Sequence, residues 1–276
     1  MTKSNGRAAK RRARKSIAAL VLVICMGAAA YMGYMAVNEL LDRRAGTDYY
    51  AELAKTMESA VVTPPAVSAE EEELPKQTED GLQENSGVFR NGSEIDFEAL
   101  WKNCPDVVGW IRIDGTVIDY PVVQGVNNQF YLSHLPNRAQ NDAGSIMMDI
   151  ASEGDFSSMV SILHGHHMSS GAMFGDLDEY ADPEYFAAHP MLRLMTPQGD
   201  YDVAIFAGYH VDGNTYAYDT GYTTAEEFDA FVADAIGKSN FEADVDVQFG
   251  DRLLMMSTCA YVQEDARFVL LGKIIE

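Results

Sequence analysis

The sequence predicts a mainly β protein: a closed β-barrel with accessory α-helices, preceded by an N-terminal transmembrane helix. Three observations lead there. Ser16 to Asn38 contains no charged residue. From Val107 onward, apolar residues fall in short runs bounded by turn formers. One long amphipathic helix interrupts the later runs. Many short strands with few helices fit a sheet closed on itself, which removes exposed edges.

The N-terminal elements come first. Residues 1–15 form a basic tail with Lys3, Arg7, Lys10, Arg11, Arg12, Arg14 and Lys15 and no acid. Residues 16–38 form the anchor. Ile17 to Val37 is almost wholly apolar, and a helix of that length spans about 31 Å at ~1.5 Å per residue, enough for a bilayer core. The basic tail then stays in the cytoplasm and the rest lies outside. The run exceeds the ~7–15 apolar residues of a signal peptide, which favours an anchor over a cleaved leader. Ala28-Ala29-Ala30 nonetheless offers small residues of the kind cleavage needs.

Residues 39–92 read as a stalk followed by an acidic flexible linker. Glu39 to Ala60 is helical with mixed charge. The stretch holding Pro64-Pro65 and Glu70 to Glu73 has too few large apolar groups to fold. The folded domain, residues 93–276, opens with a short helix on Phe97, Leu100, Trp101 and Cys104, ended by Pro105. Strands follow at 107–113 and 116–120 around the turn former Asp114-Gly115, then at 144–148, 159–163, 191–196, 201–209, 252–257 and 267–274. Asp182-Pro183 starts a short helix. Thr223-Thr224 with Glu226-Glu227 caps a longer one, whose stripe of Phe228, Phe231, Val232, Ala235 and Ile236 packs on the core.

The chain of 276 residues has a formal net charge of -22. With the seven basic residues of the tail set aside, 13 remain against 42 acids, a net of -29. Phosphate would be repelled, so nucleic acid is excluded as a partner of the main domain. Of the three cysteines, Cys25 lies in the apolar run and Cys104 on the short helix. Two cysteines outside the anchor do not make a disulfide framework.

Cys259 ends a buried apolar run, and Arg267 is the lone cation between Arg252 and Lys273. Across a hairpin the guanidinium would favour thiolate and stabilise an oxyanion. A packed core cysteine, with the arginine paired to Glu264 or Asp265, is the competing reading. His164, His166 and His167 cluster where another strand ends. One of them is a candidate acid–base partner for a thiol nucleophile. Metal binding by the cluster is the alternative, although Cys-x-x-Cys and His-Glu-x-x-His are both missing.

Residues from about Trp101 to Ile274 carry several motifs in a fixed order. They are Val107-Val108-Gly109-Trp110-Ile111 with Ile118-Asp119-Tyr120-Pro121-Val122, Asn128 to Leu132, and Ala143-Gly144-Ser145-Ile146. Gly165-His166 with Met168, Met173-Phe174-Gly175-Asp176-Leu177, Ser257-Thr258-Cys259 and Ala266-Arg267-Phe268 complete the set. In these the chain resembles a class B sortase, a membrane-anchored cysteine transpeptidase of Gram-positive cell surfaces. The helix at Thr224–Ile236 falls where that family places one. The family often has tyrosine and asparagine where this chain has His164 and His167.

The resemblance implies a sortase-type barrel. It also implies Cys259 as nucleophile, His166 as general acid–base and Arg267 as oxyanion stabiliser, with Ser257, Asn128 and Leu132 lining a peptide groove. The implied reaction cleaves a C-terminal sorting motif through a thioester. It transfers the acyl group to an amine of a cell-wall precursor or a pilin, with neither a metal nor an organic cofactor. A cysteine hydrolase on the same three residues, and a non-catalytic metal-binding or scaffold domain using His164 to His167, are the alternatives.

Overall fold

The computed structural model describes residues 3–59, 93–168, 170–213, 216–259 and 266–275. They group into two compact units, Met1–Ala45 and Gly46–Glu276. The linker expected at 61–92, the last expected stalk residue Ala60 and residues 260–265 lie outside the described residues.

The first unit is helical. Helix α1, Lys3–Ser59, contains a stretch long and apolar enough to cross a bilayer. Val21, Leu22, Ile24 and Met32 on it are exposed.

The second unit holds eight strands: β1 (Val107–Arg112), β2 (Asp119–Val123), β3 (Ile146–Met148), β4 (Val160–His166), β5 (Met191–Thr196), β6 (Gly199–Asp212), β7 (Leu253–Cys259) and β8 (Ala266–Ile275). They close a barrel in the order β1-β2-β3-β4-β7-β8-β6-β5. The pairs β2/β3 and β4/β7 are parallel. Three short helices, α2 (Phe97–Trp101), α3 (Pro183–Ala188) and α4 (Ala225–Lys238), decorate it.

The first hairpin differs from the sequence expectation. Arg112 pairs with Asp119, so residues 113–118 form the connection in place of a two-residue turn. The Thr116 hydroxyl donates to Ile113 O (2.8 Å) and accepts from Ile118 N (3.1 Å). That local bonding outcompetes strand pairing at Thr116. Gly115 takes φ +80 there.

Strand alternation sorts the core into two layers. Leu163 of β4, Leu254 and Met256 of β7, and Phe268 and Leu270 of β8 fill the barrel interior. Val160, Ile162, Leu253, Met255, Val269 and Leu271 face outward and pack with Phe228, Val232 and Ala235 of α4. Thr224 caps that helix, accepting from Glu227 N at 3.2 Å. Glu227 Oε2 reaches back one residue beyond the cap, accepting from Thr223 N at 3.3 Å and from the Thr223 hydroxyl at 2.9 Å. Ile236, expected in the buried stripe, is exposed. The buried face follows 228, 232 and 235, and residue 236 turns about 100° past it.

The last turns of α1, from Gly46, also belong to the second unit. Leu53, Ala54 and Met57 pack with Phe97, Leu100, Cys104 and Tyr131. Tyr50 is buried, with its hydroxyl donating to Gly144 O at 2.6 Å and its ring edge-on to Tyr120 at 5.2 Å. A Cβ on Gly46 would lie 2.6 Å from Asn141 Oδ1, so the helix can press this close through glycine.

Candidate active site

The two-residue period that sorts the core also assembles the site. On β4 the outward positions continue from Ile162 to His164 and His166. On β7 they continue from Met255 to Ser257 and position 259. On β8 they run from Val269 to Arg267. His164, His166, Ser257 and Arg267 therefore share one outer face on three neighbouring strands, and the backbone of Cys259 ends the middle one.

Register then sets the pairings. In the parallel β4/β7 ladder, His164 lies beside Ser257 and His166 beside Cys259, about 4.8 Å away across the ladder. The antiparallel β7/β8 ladder pairs Ser257 with Val269. Continued two residues to the strand ends, the same register sets backbone position 259 opposite position 267. Between them Phe268 N donates to the Thr258 hydroxyl at 2.9 Å, which keeps the strands together at their ends.

Gly165 makes room for this. A Cβ there would lie 2.5 Å from Ile146 Cδ1 and 2.7 Å from Phe174 Cδ2. Glycine lets the inner face close while His166 stays on the outer one. The His166 ring is half-buried, and its Nε2 lies 2.5 Å from Leu132 O. A carbonyl accepts and cannot donate, so Nε2 carries a hydrogen in either charge state.

Arg267 is held by neutral groups. Its Nη1 donates to Tyr218 Oη at 3.2 Å, and its guanidinium lies 5.9 Å from the Tyr218 ring centroid. A Cβ on Gly213 would come within 2.6 Å of Arg267 Nε, so glycine at 213 leaves space for the side chain. Among the described residues no carboxylate pairs with Arg267, and its charge is not neutralised by them.

The remaining sequence-derived positions divide. Ser257 is fully buried, with Oγ 2.7 Å from Tyr218 Oη. Leu132 reaches the site through its carbonyl. Asn128 reaches it indirectly: its Nδ2 donates to Asp149 Oδ2 (2.8 Å) and its Oδ1 accepts from Ile150 N (2.9 Å). The histidine cluster separates. His164 Nε2 bonds Asp149 (3.0 Å), His166 bonds Leu132 O, and His167 Nε2 meets Asp178 (2.8 Å). Among the described residues no group of three or more His, Cys, Asp or Glu is placed to hold a metal.

Two residues absent from the sequence-derived site stand in it. Asp149 follows β3 directly, and a charged residue ending a buried run was a usable signal. Its carboxyl is held down at about 2 by the His164 hydrogen bond, then by Ala151 N and Asn128, against the effect of its burial. Tyr218 lies in an irregular segment rich in tyrosine and aspartate, which gave no signal.

A closed barrel whose parallel β4/β7 ladder ends in a histidine–cysteine pair beside a strand-borne arginine defines a sortase-type cysteine transpeptidase. No family model matches the chain. It is 33% identical over 178 residues to the sortase B of Listeria monocytogenes serovar 1/2a, covering 64% of this chain and 72% of that protein. A Staphylococcus aureus sortase B–substrate complex superposes with a TM-score of 0.71 at 26% identity, covering 86% of this chain and 99% of that one. A sortase B complexed with triglycine superposes with a TM-score of 0.62 at 32% identity, covering 65% and 85%. The chain belongs to the class B sortases and is a cysteine transpeptidase of that family.

Proposed function

We propose that Cys259 is the nucleophile, His166 the general acid–base and Arg267 the oxyanion stabiliser of this transpeptidase. The observation that carries the reading is the register. It sets His166 and Cys259 side by side and brings Arg267 to the neighbouring strand end.

The Cys259 thiolate attacks a backbone carbonyl in a C-terminal sorting motif. The Arg267 guanidinium, which has no carboxylate partner among the described residues, stabilises the oxyanion. The C–N bond breaks as His166 gives a proton to the leaving amine, and a thioester remains. An incoming amine then gives up a proton to His166, attacks the thioester and expels the thiolate. The amine is that of a cell-wall precursor or of a pilin, a reading supported by the relatives bound to a substrate and to triglycine. Ser257, Asn128 and Leu132 line the peptide groove, Asn128 by bracing Asp149.

The enzyme is single-pass, with its N-terminus cytoplasmic and its barrel at the cell surface. The basic tail ahead of the uncharged run supports that orientation. Residues 39–45 act as stalk and 61–92 as linker, while the end of α1 from Gly46 packs on the catalytic domain at 93–276. Tethering beside membrane-bound substrates raises their effective concentration.

The test is mass spectrometry of the full chain in detergent with sorting peptides, with and without an amine. A thioester adduct on Cys259 is expected, with ligated product appearing when the amine is present. Cys259→Ala is expected to abolish both. Hydrolysed peptide alone, unchanged by amine, would establish a hydrolase instead. Arg267→Lys is expected to slow turnover by about tenfold to a hundredfold, because a point charge does not reproduce the planar guanidinium.

A further inference from the structure

We propose that His164 and Asp149 form a positioning pair that fixes Tyr218 and, through it, the guanidinium of Arg267. This rests on the assignment of Arg267 to the oxyanion.

The chain of contacts is continuous. Arg267 Nη1 donates to Tyr218 Oη (3.2 Å), which leaves the Tyr218 hydroxyl hydrogen for Ser257 Oγ (2.7 Å). The Tyr218 ring meets His164 edge-on, with centroids 5.1 Å apart at 80°. Tyr216 meets it similarly, at 5.0 Å and 79°. His164 Nε2 donates to Asp149 Oδ2 (3.0 Å). The same oxygen accepts from Asn128 Nδ2 (2.8 Å), while Oδ1 accepts from Ala151 N (2.8 Å).

Each link has a reason to transmit position. Tyr218 belongs to neither strand nor helix, so its ring direction is set by side-chain contacts. Arg267 is a long side chain whose many rotamers must be narrowed before its charge sits where an oxyanion forms. Tyr218 supplies both a hydrogen-bond acceptor and a ring face for that purpose. The His164 side chain is 7% exposed and Asp149 14%. A buried imidazole–carboxylate pair is not needed for stability, since apolar replacements of similar size are often neutral or better. Its geometric effect is specific, because Asp149 locks the ring plane of His164 and His164 presents that plane to Tyr218. His164 Nδ1 has no partner among the described residues, so the ring is oriented from the Asp149 side.

The experiment is a double-mutant cycle in the full chain in detergent. It measures kcat and peptide KM for His164→Ala, Arg267→Lys and the double variant, with melting temperature as a check on folding. Positioning through Arg267 predicts that His164→Ala lowers kcat about tenfold and leaves KM within about twofold. In the Arg267→Lys background the same change should cost about twofold or less. Asp149→Asn should follow the same pattern with a smaller factor, and it decides the matter if His164→Ala fails to fold. An equal loss in both backgrounds would overturn the positioning role while leaving Arg267's own assignment intact. So would a loss confined to KM. Full activity of Arg267→Lys alone would overturn that assignment and the positioning role together.

Discussion

The two walls beside His166 are held by different physics. On one side, the segment from Phe130 to Ser145 is held next to the imidazole by neutral groups, while its Tyr131 and Arg138 bond the Asp106 carboxylate farther out. Tyr50 donates to Gly144 O, Ser145 N donates to Tyr131 O at 2.9 Å, and Leu132 O accepts from the imidazole. On the other side, the segment from Tyr216 to Tyr222 is fixed through Tyr218 to a guanidinium and to a buried imidazole–carboxylate pair. The contacts nearest the imidazole are therefore packing and carbonyl hydrogen bonds, with the Arg138–Asp106 ion pair bracing the same segment farther out. The guanidinium is oriented by a neutral tyrosine that itself rests on a buried imidazole–carboxylate pair.

The largest expected effect breaks the neutral wall. Tyr50 is buried between Tyr120 and Gly144, and Tyr50→Ala removes both the ring and its hydrogen bond. A cost of about 3–5 kcal/mol is expected, equivalent to a fall in melting temperature of roughly 6–20 °C for a domain of this size. Thermal unfolding of the full chain measures it. A change under ~1 kcal/mol would mean that the end of α1 does not hold this wall.

Acid should sharpen the contrast from the charged side. The Asp149 carboxyl sits at about 2 in the fold against roughly 3.9 unfolded. Its contribution is thus complete above about pH 4 and lost as pH falls toward 2. The side chain is little exposed, so a shift of this size is worth about 2 kcal/mol. Urea midpoints of wild type and Asp149→Asn should differ most above pH 4 and converge near pH 2. A constant gap across that range would show that the carboxylate is not held by its partners.

Much of this architecture was legible from residues alone, for physical reasons. Strand-length apolar runs located the eight strands, and the capping box at Thr223-Thr224 located α4. Motif order named Cys259, His166, Arg267 and Ser257 as parts of one proposed site. Tyr218 and Asp149 were not legible, because they meet through His164 across long stretches of chain. No local spacing encodes such a contact. The hydroxyl of Thr116 hid the true extent of the first hairpin. At the end of α1, Tyr50, Leu53, Ala54 and Met57 fall at i, i+3, i+4 and i+7, an apolar stripe carried within a mixed-charge helix.

The smallest expected effect isolates one hydrogen bond of the neutral wall. Tyr50→Phe keeps the ring against Tyr120 and deletes the hydroxyl that donates to Gly144 O. Gly144 has φ +60, and a Cβ there would lie 2.7 Å from Leu132 O. The turn is therefore tightly fitted, and its carbonyl loses a buried donor. The cost should be about 1–2 kcal/mol. Both partners are neutral, so that cost should be the same at pH 4 and pH 7, unlike the cost of Asp149→Asn across the acid range. Urea unfolding of Tyr50→Phe at the two pH values is the measurement. A cost that varied between the two pH values would couple the Tyr50–Gly144 contact to a titrating group and remove its contrast with Asp149.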